Sequence, residues 1–469
     1  MVIKTNEPSL ELDLIDLANL FGQHNLEIEH EMQKTSGKVQ NSFTVKNNDN
    51  GEIQSFSFSY DLDENLSELE KKSIVKKMVK NHLYQILSKL LKMSLPWGSL
   101  TGVRPTKLAR DMIEKGQAKE YLVAEALEKG FYVSEDKAKL VANILKNQKC
   151  IIRNDNLVDL YINIPLCPTR CLYCSFISHQ IIALKENAID EYLDCLEKEL
   201  DEVKKIVADK AYIIRTVYIG GGTPSVLDEK RLARLLDMVS FAVDEFTVEC
   251  GRADTITEEK LEIMKSHGVS RISINPQTFC QATLKRIGRP VTNNQVIEAY
   301  SKALEKGFVV NMDFIAGLPG ERKAIFKKTM QMALELYPHN ITVHTLSVKK
   351  GAELKWQQEI LSEKDVEAMV SLAETMLAEN GYKPYYLYRQ KNQLKGLENV
   401  GYFRDEHVCI FNIDSMEETN TIIGVGAGAM SKRVFNIEKK IERQHNDKFL
   451  NDYCQKVDKI IEDKRAFFK

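Results

Sequence analysis

Three cysteines fall within eight residues, "CPTRCLYC" at 167–174, and no fourth follows closely. Three thiolates, Cys167, Cys171 and Cys174, on one loop form a soft ligand set. A structural zinc site needs four closed ligands, and His179, five residues after Cys174, is the residue that would complete a Cys3His set. A disulfide would leave one thiol over. The third reading is an iron–sulfur cubane with three irons tied to thiolates and a fourth free to coordinate a cofactor. That reading is favoured, because the loop follows a strand at the head of a long β-α series, and it makes the missing fourth cysteine the functional feature.

Other residue types gather where such a site would need them. "GGG" at 220–222, followed by Thr223, ends an apolar run and lets backbone approach a ligand closely. Glu249 ends another, beside Cys250 and Arg252, where a carboxylate is suited to accept hydrogen bonds from a bound group. Asp313 interrupts the apolar run "VVNMDFIAG", and a charge there is costly unless paired or bound. "GVGAGAM" at 424–430 lacks the G-x-G-x-x-G spacing of a dinucleotide loop, so a dinucleotide site is not expected there and the run reads as close packing.

The elements that position these residues form a regular alternation. Apolar strands "LVDLYINIP", "TVYIGGG", "EFTVECG", "RISINPQ", "FVVNMDFIAG" and "NITVHTLSV" are separated by helical stretches such as "AIDEYLDCLEKELDEVKKIVAD". Six such units imply a parallel sheet covered by helices, in an α/β fold with its site at the strands' C-terminal ends. We expect three parts: an N-terminal α+β accessory domain (1–150), a β-α region (151–355) and a small C-terminal mixed α/β domain (356–469). Within the first, residues 71–93 carry apolar positions at helical spacing, with lysines on the opposite, solvated face.

The chain has 469 residues, a net charge of −2, 43% hydrophobic residues and nine cysteines. That composition describes a soluble globular protein and argues against nucleic acid as a partner. The N-terminus has no apolar signal-like run and no stretch is long enough to span a bilayer. A cytoplasmic location without a membrane role is therefore expected.

C-x3-C-x2-C after the first strand resembles the radical S-adenosylmethionine (SAM) superfamily. "YINIPLCPTRCLYCSF", "GGGTP", "PQTF", "IGRP" and "DFIAGLPGE" resemble its oxygen-independent coproporphyrinogen III oxidase group. "TGVRPTK" and "YYLYRQKNQ" are most similar to the HemZ-type coproporphyrinogen dehydrogenases. The resemblance implies a partial (β/α)6 TIM-type barrel with a 4Fe-4S cluster on Cys167, Cys171 and Cys174. SAM would be bound by Tyr161, Tyr173, Gly221, Gly222, Thr223, Glu249, Gln277, Arg289 and Asp313. Tyr161 would approach the sulfonium as the catalytic contact, and Asp313 would hold the ribose hydroxyls. The implied reaction is oxidative decarboxylation of two propionates of coproporphyrinogen III to vinyl groups, initiated by a 5′-deoxyadenosyl radical. A reducing donor such as flavodoxin or ferredoxin would be the electron partner, and Lys349, Lys350, Arg389 and Lys391 are candidate propionate contacts. The chain departs from the best-studied oxidase type at Asn163, where that type has histidine, and at Ser175-Phe176, where it has a further cysteine. Ser-Phe resembles relatives that are heme chaperones or radical methyl-transferring, heme-opening enzymes. These are the alternatives.

Overall fold

The computed structural model describes residues 1–35, 37–102, 104–175, 179–185, 187–347, 363–390, 396–436, 438 and 440–469. The chain divides into two compact units, Met1–Asn143 with Arg389–Leu397, and Ile144–Tyr388 with Glu398–Lys469.

In the first unit, β1 (Val2–Thr5) runs parallel to β2 (Leu26–Thr35), which continues antiparallel into β3 (Lys38–Asn47) and β4 (Ile53–Asp61). The lysine-rich stretch is a helix over Glu68–Leu91, started by a capping box between Ser67 and Glu70. Its stripe of Val75, Val79, Leu83 and Leu87 is buried in the core with Ile28, Phe43 and Leu14. Lys80 departs from the expected solvated face. It is buried, donates to Thr101 Oγ1 at 2.5 Å, and burial pushes its ammonium down to about 8. Arg389 is likewise buried rather than offered to a substrate. Its guanidinium donates to the carbonyls of Gly396 and Leu100, both at 2.5 Å, and stands 5.1 Å from the Trp97 ring.

The second unit is built on β5 (Leu157–Ile164), β8 (Ile213–Gly221), β9 (Glu245–Gly251), β10 (Arg271–Ile274), β11 (Val309–Ala316) and β12 (Asn340–Thr345). A short pair, β6 (Leu166–Cys167) and β7 (His179–Gln180), lies apart from the main sheet. The six long strands are parallel and stand side by side in sequence order. Crossovers that all advance the same way, each right-handed, place every connecting helix on one face of the sheet. Strand period 2 shows the same division. Val158, Leu160, Ile162, Val217, Ile219, Val248, Ile272, Val310, Met312 and Ile341 are buried on one face. Asp159, Tyr161, Asn163, Thr216, Tyr218, Glu245, Glu249, Asn311, Asp313 and His344 alternate with them. This is the partial (β/α)6 arrangement expected.

Among the described residues after 356, expected as a domain of their own, the strands instead extend both edges of this sheet. β14 (Glu398–Phe403) pairs antiparallel with β12, with β13 (Lys383–Arg389) outside it. β15 (Thr421–Val425) pairs parallel with β5, followed by antiparallel β16 (Met430–Phe435) and β17 (Lys440–His445). These strands are completed by the exposed edges of the parallel set, and their buried Tyr385, Tyr386, Phe403 and Ile422 share an apolar cluster with Phe411 and Ile413. The helix Ile410–Glu417 packs on the polar face, where the Phe411 ring stacks on Tyr218 at 4.5 Å. Two buried ion pairs anchor this end of the face. Arg271 meets Glu245 at 3.2 Å, and Arg215 meets Asp414 at 2.9 Å.

No helix among the described residues is long and apolar enough to cross a membrane.

Candidate active site

The C-terminal half of the polar face is where buried strands become half-exposed, at Tyr161, Asn163, Tyr218, Gly221, Glu249, Asp313 and His344. These half-exposed residues mark the strand ends as the part of the polar face a ligand could reach.

The cysteine loop is fixed beside it. Leu172 and Tyr173 pack on an apolar cluster of Leu284, Ile287, Ile315, Leu318 and Leu346. The Leu172 amide donates to Ile287 O at 3.0 Å, and the Cys174 amide to Cys171 O at 3.0 Å. Arg252 donates to Thr169 Oγ1 at 2.7 Å and is itself held by Asp254. Cys171 is buried with Arg289 Nη1 3.8 Å from its sulfur, while Arg289 Nη2 donates to Gly251 O at 2.6 Å and to Asn275 O. A fixed guanidinium there places a positive charge beside whatever Cys171 ligates. Cys167 Sγ stands 3.6 Å from Thr223 Oγ1. Among the described residues no three His, Cys, Asp or Glu side chains are grouped to hold a metal ion. Three thiolates that each take a different iron of a cluster need not converge as ligands of one ion must. His179 is at the loop's far end, on β7, with its ring edge toward Phe449. Phe176 lies outside the described residues.

The three glycines are required by the protein itself. Gly221 has φ +105, and a Cβ there would strike the Asn163 carboxamide; at Gly222 it would strike Leu166 O. At Gly220 it would lie 2.8 Å from Glu249 Oε2 and 2.9 Å from the Tyr218 ring. Glu249 thus sits directly under the glycine run. Burial, and then the nearby Asp313 carboxylate, push its carboxyl up to about 8.

Gln277 carries two unusual features. It is a buried non-glycine residue at φ +67, and its Oε1 has no hydrogen-bond partner. The backbone imposes this conformation, because the Gln277 amide donates to Asp313 O at 2.9 Å and its carbonyl accepts from Ile315 N at 3.0 Å. Strain and an orphaned acceptor at a strand end are features that cluster at ligand sites. Burial opposes ionisation of Asp313, but His344, Asn311 and Thr342 outweigh it and hold its carboxyl below the ordinary value. Asn311 Nδ2 donates to Oδ1 at 2.8 Å, and His344 Nε2 lies 3.6 Å from Oδ2.

Tyr161, Gly221, Glu249 and Asp313 are thereby brought to one polar face, with Gln277 bonded to Asp313 through the backbone. Cys167, Cys171, Thr223 and Arg289 are brought to the adjoining loop. Sequence reasoning passed over the aromatic stack of Tyr161, Tyr218 and Phe411, since Phe411 is far away in the chain. The pairing of His344 with Asp313 also went unnoticed; His344 faces that carboxylate, and its Nδ1 lies 3.3 Å from Tyr388 Oη. Strand alternation with Asp313 was the signal that could have found it. Lys349, Lys350 and Lys391 lie outside the described residues.

The family model described as the Radical SAM superfamily matches residues 161–333, from Tyr161 into the helix that follows β11. The chain is 36% identical to the oxygen-independent coproporphyrinogen-III oxidase-like protein HemZ of Bacillus subtilis (strain 168), over 84% of this chain and 82% of that protein. It is 35% identical to the heme chaperone HemW of the same organism, over 40% of this chain and 50% of that one. The solved structure of the Escherichia coli coproporphyrinogen III oxidase HemN, a radical SAM enzyme, superposes with a TM-score of 0.53 at 21% identity, covering 68% of this chain and 73% of that one. The chain belongs to the radical SAM superfamily and, within it, to the family of oxygen-independent coproporphyrinogen-III oxidase-like proteins. The cofactors of this superfamily are a 4Fe-4S cluster and SAM.

Proposed function

We propose that this protein catalyses the oxygen-independent oxidative decarboxylation of coproporphyrinogen III to protoporphyrinogen IX. The observation that carries the reading is the extent of the match. The HemZ alignment runs over 411 residues and so takes in sequence flanking the β-α region, whereas the HemW alignments cover 196 to 306. Cys167, Cys171 and Cys174 hold the cluster, with Arg289 balancing charge at Cys171. Tyr161, Glu249, Gln277 and Asp313 line the SAM site, with Tyr173, Gly221, Gly222 and Thr223 at its edge. The donor set fits: the orphaned Gln277 Oε1 and the Glu249 and Asp313 carboxylates are acceptors suited to an ammonium and ribose hydroxyls. When bound, the cluster and SAM supply abstraction of a hydrogen atom from an unactivated carbon. Each propionate, –CH2–CH2–COO⁻, then becomes –CH=CH2 with loss of CO2, one hydrogen atom and one electron, the electron passing to a one-electron acceptor. The chain's task is to hold the propionate's β-carbon at the strand ends and to exclude water, which the aromatic stack of Tyr161, Tyr218 and Phe411 is suited to do. A reducing donor such as flavodoxin or ferredoxin supplies the activating electron, and the setting is the cytoplasm.

The HemW matches favour a second reading, a heme chaperone that carries the cluster without turning over a tetrapyrrole. Anaerobic turnover with SAM, a reductant, coproporphyrinogen III and an electron acceptor separates the two. Loss of two CO2 units coupled to 5′-deoxyadenosine supports the decarboxylase. Slow uncoupled deoxyadenosine, unchanged tetrapyrrole and stable heme binding support the chaperone.

A further inference from the structure

The "GVGAGAM" run and Asn163 were left without a role by the reaction, and the structure joins them. The β15–β16 loop brings Ala427 O to 2.5 Å from Asn163 Nδ2, and Asn163 Oδ1 lies 3.0 Å from the Tyr161 hydroxyl. The orientation of the carboxamide follows from its partners. A backbone carbonyl only accepts, so the NH2 end faces Ala427 and the oxygen end faces Tyr161. Oδ1 is an acceptor, so the Tyr161 hydroxyl must donate its proton to it. Burial and the adjacent Glu249 push this phenol above its usual range, so the proton is present at neutral pH. The phenol oxygen is left with lone pairs alone for whatever faces it.

The loop is anchored from behind. The Gly426 amide donates to Glu199 Oε2 at 2.8 Å, the Ala427 amide to Tyr192 Oη at 3.2 Å, and the Tyr192 hydroxyl to Asn163 O at 2.5 Å. Glu199 is fully buried and pairs with the fully buried Lys464 at 3.3 Å. Lys464 also donates to Gly424 O at 2.6 Å. Glycine at 426 is required: φ is +96, and a Cβ would lie 2.6 Å from both Asn163 O and Tyr192 Oη. A buried ion pair is a poor source of net stability but a good device for fixing one arrangement.

We infer that Asn163, clamped by the Gly424–Met430 loop, is a positioning residue that orients the Tyr161 hydroxyl inward, so that the phenol oxygen meets the cationic end of SAM only as an acceptor. This rests on the assignment of Tyr161 to the cofactor, not on the identity of the tetrapyrrole.

The test is a double-mutant cycle read by equilibrium dialysis of labelled SAM against anaerobically reconstituted full-length protein, with iron content measured in parallel. Tyr161→Phe and Asn163→Leu should each weaken SAM binding about tenfold, the size of one lost charge-assisted hydrogen bond, with iron content unchanged. The double variant should bind no more weakly than Tyr161→Phe alone. Asn163→His, whose imidazole offers one donor and one acceptor, should bind within about threefold of wild type, a difference of about 0.7 kcal/mol at most. Losses that multiply in the double variant overturn the inference, as does wild-type affinity in Asn163→Leu. Should Asn163→Leu fail to fold, Asn163→His decides, and a tenfold loss there overturns it. Unchanged binding by Tyr161→Phe instead removes Tyr161 from the cofactor site, and the inference falls with it.

Discussion

Replacing Gln277 with glycine separates a strained functional residue from a structural one. At φ +67 a non-glycine residue is raised in energy by about 1–2 kcal/mol. The unpartnered buried Oε1 adds roughly 1–3 kcal/mol. The substitution removes both terms. Against them stand two buried methylenes, about 0.8 kcal/mol each, and the added freedom of glycine in the unfolded chain, roughly 0.5–1 kcal/mol. The sum lies between about 0.6 kcal/mol of lost and about 3 kcal/mol of added stability, centred near about 1 kcal/mol gained. For a buried side chain removed to Cα this is unusual, since most such losses destabilise. Thermal unfolding of the cofactor-free variant should therefore show a midpoint no lower than wild type, while SAM binding to the reconstituted variant weakens about tenfold or more. A midpoint lower by about 4 °C or more, corresponding to roughly 1–2 kcal/mol in a unit of this size, would show that Gln277 holds the fold. The argument from strain to function would then fail.

Glu249 makes a pH prediction. With its folded-state value raised to about 8, its contribution is fully present below the ordinary glutamate value of about 4.3 and is lost as pH rises toward 8. Cofactor-free wild type should therefore lose stability relative to Glu249→Gln between pH 5 and 8, at up to about 1.4 kcal/mol per pH unit; a flat difference in denaturation midpoints refutes it. Arg271→Met strands Glu245 in the core without its ion-pair partner and should destabilise by about 3–5 kcal/mol, read from chemical denaturation. A loss under 1 kcal/mol would mean the amides of Ile410 and Phe411, which also donate to Glu245, suffice. Asp313→Asn should weaken SAM binding while leaving iron content intact; loss of both together would mean that its contact with His344 is structural.

Much of this architecture was visible in the chain. The six strand-like runs each became a parallel strand in sequence order, because an apolar period-2 run followed by an amphipathic helix has few other ways to bury both faces. Local spacing also put Cys167, Cys171 and Cys174 on one loop. Pairings across long stretches of chain were not legible. Nothing near Arg215 points to Asp414, and nothing near Glu199 points to Lys464. The C-terminal strands read as a separate domain because sequence cannot show which free sheet edge they complete. Arg389 looked like a ligand because its cage of carbonyls is backbone, which leaves no mark in residue types. The glycine run was read as making room for a ligand; that Asn163, Leu166 and Glu249 also leave no space for a side chain there was not legible.

The central claim is that Cys167, Cys171 and Cys174 hold a cluster whose fourth iron is open to SAM. Electron paramagnetic resonance of the anaerobically reconstituted, reduced protein, recorded with and without SAM, tests it most directly. The account predicts a 4Fe-4S signal that changes on adding SAM and disappears in Cys171→Ala. A signal indifferent to SAM, or bound zinc in place of iron, would contradict it.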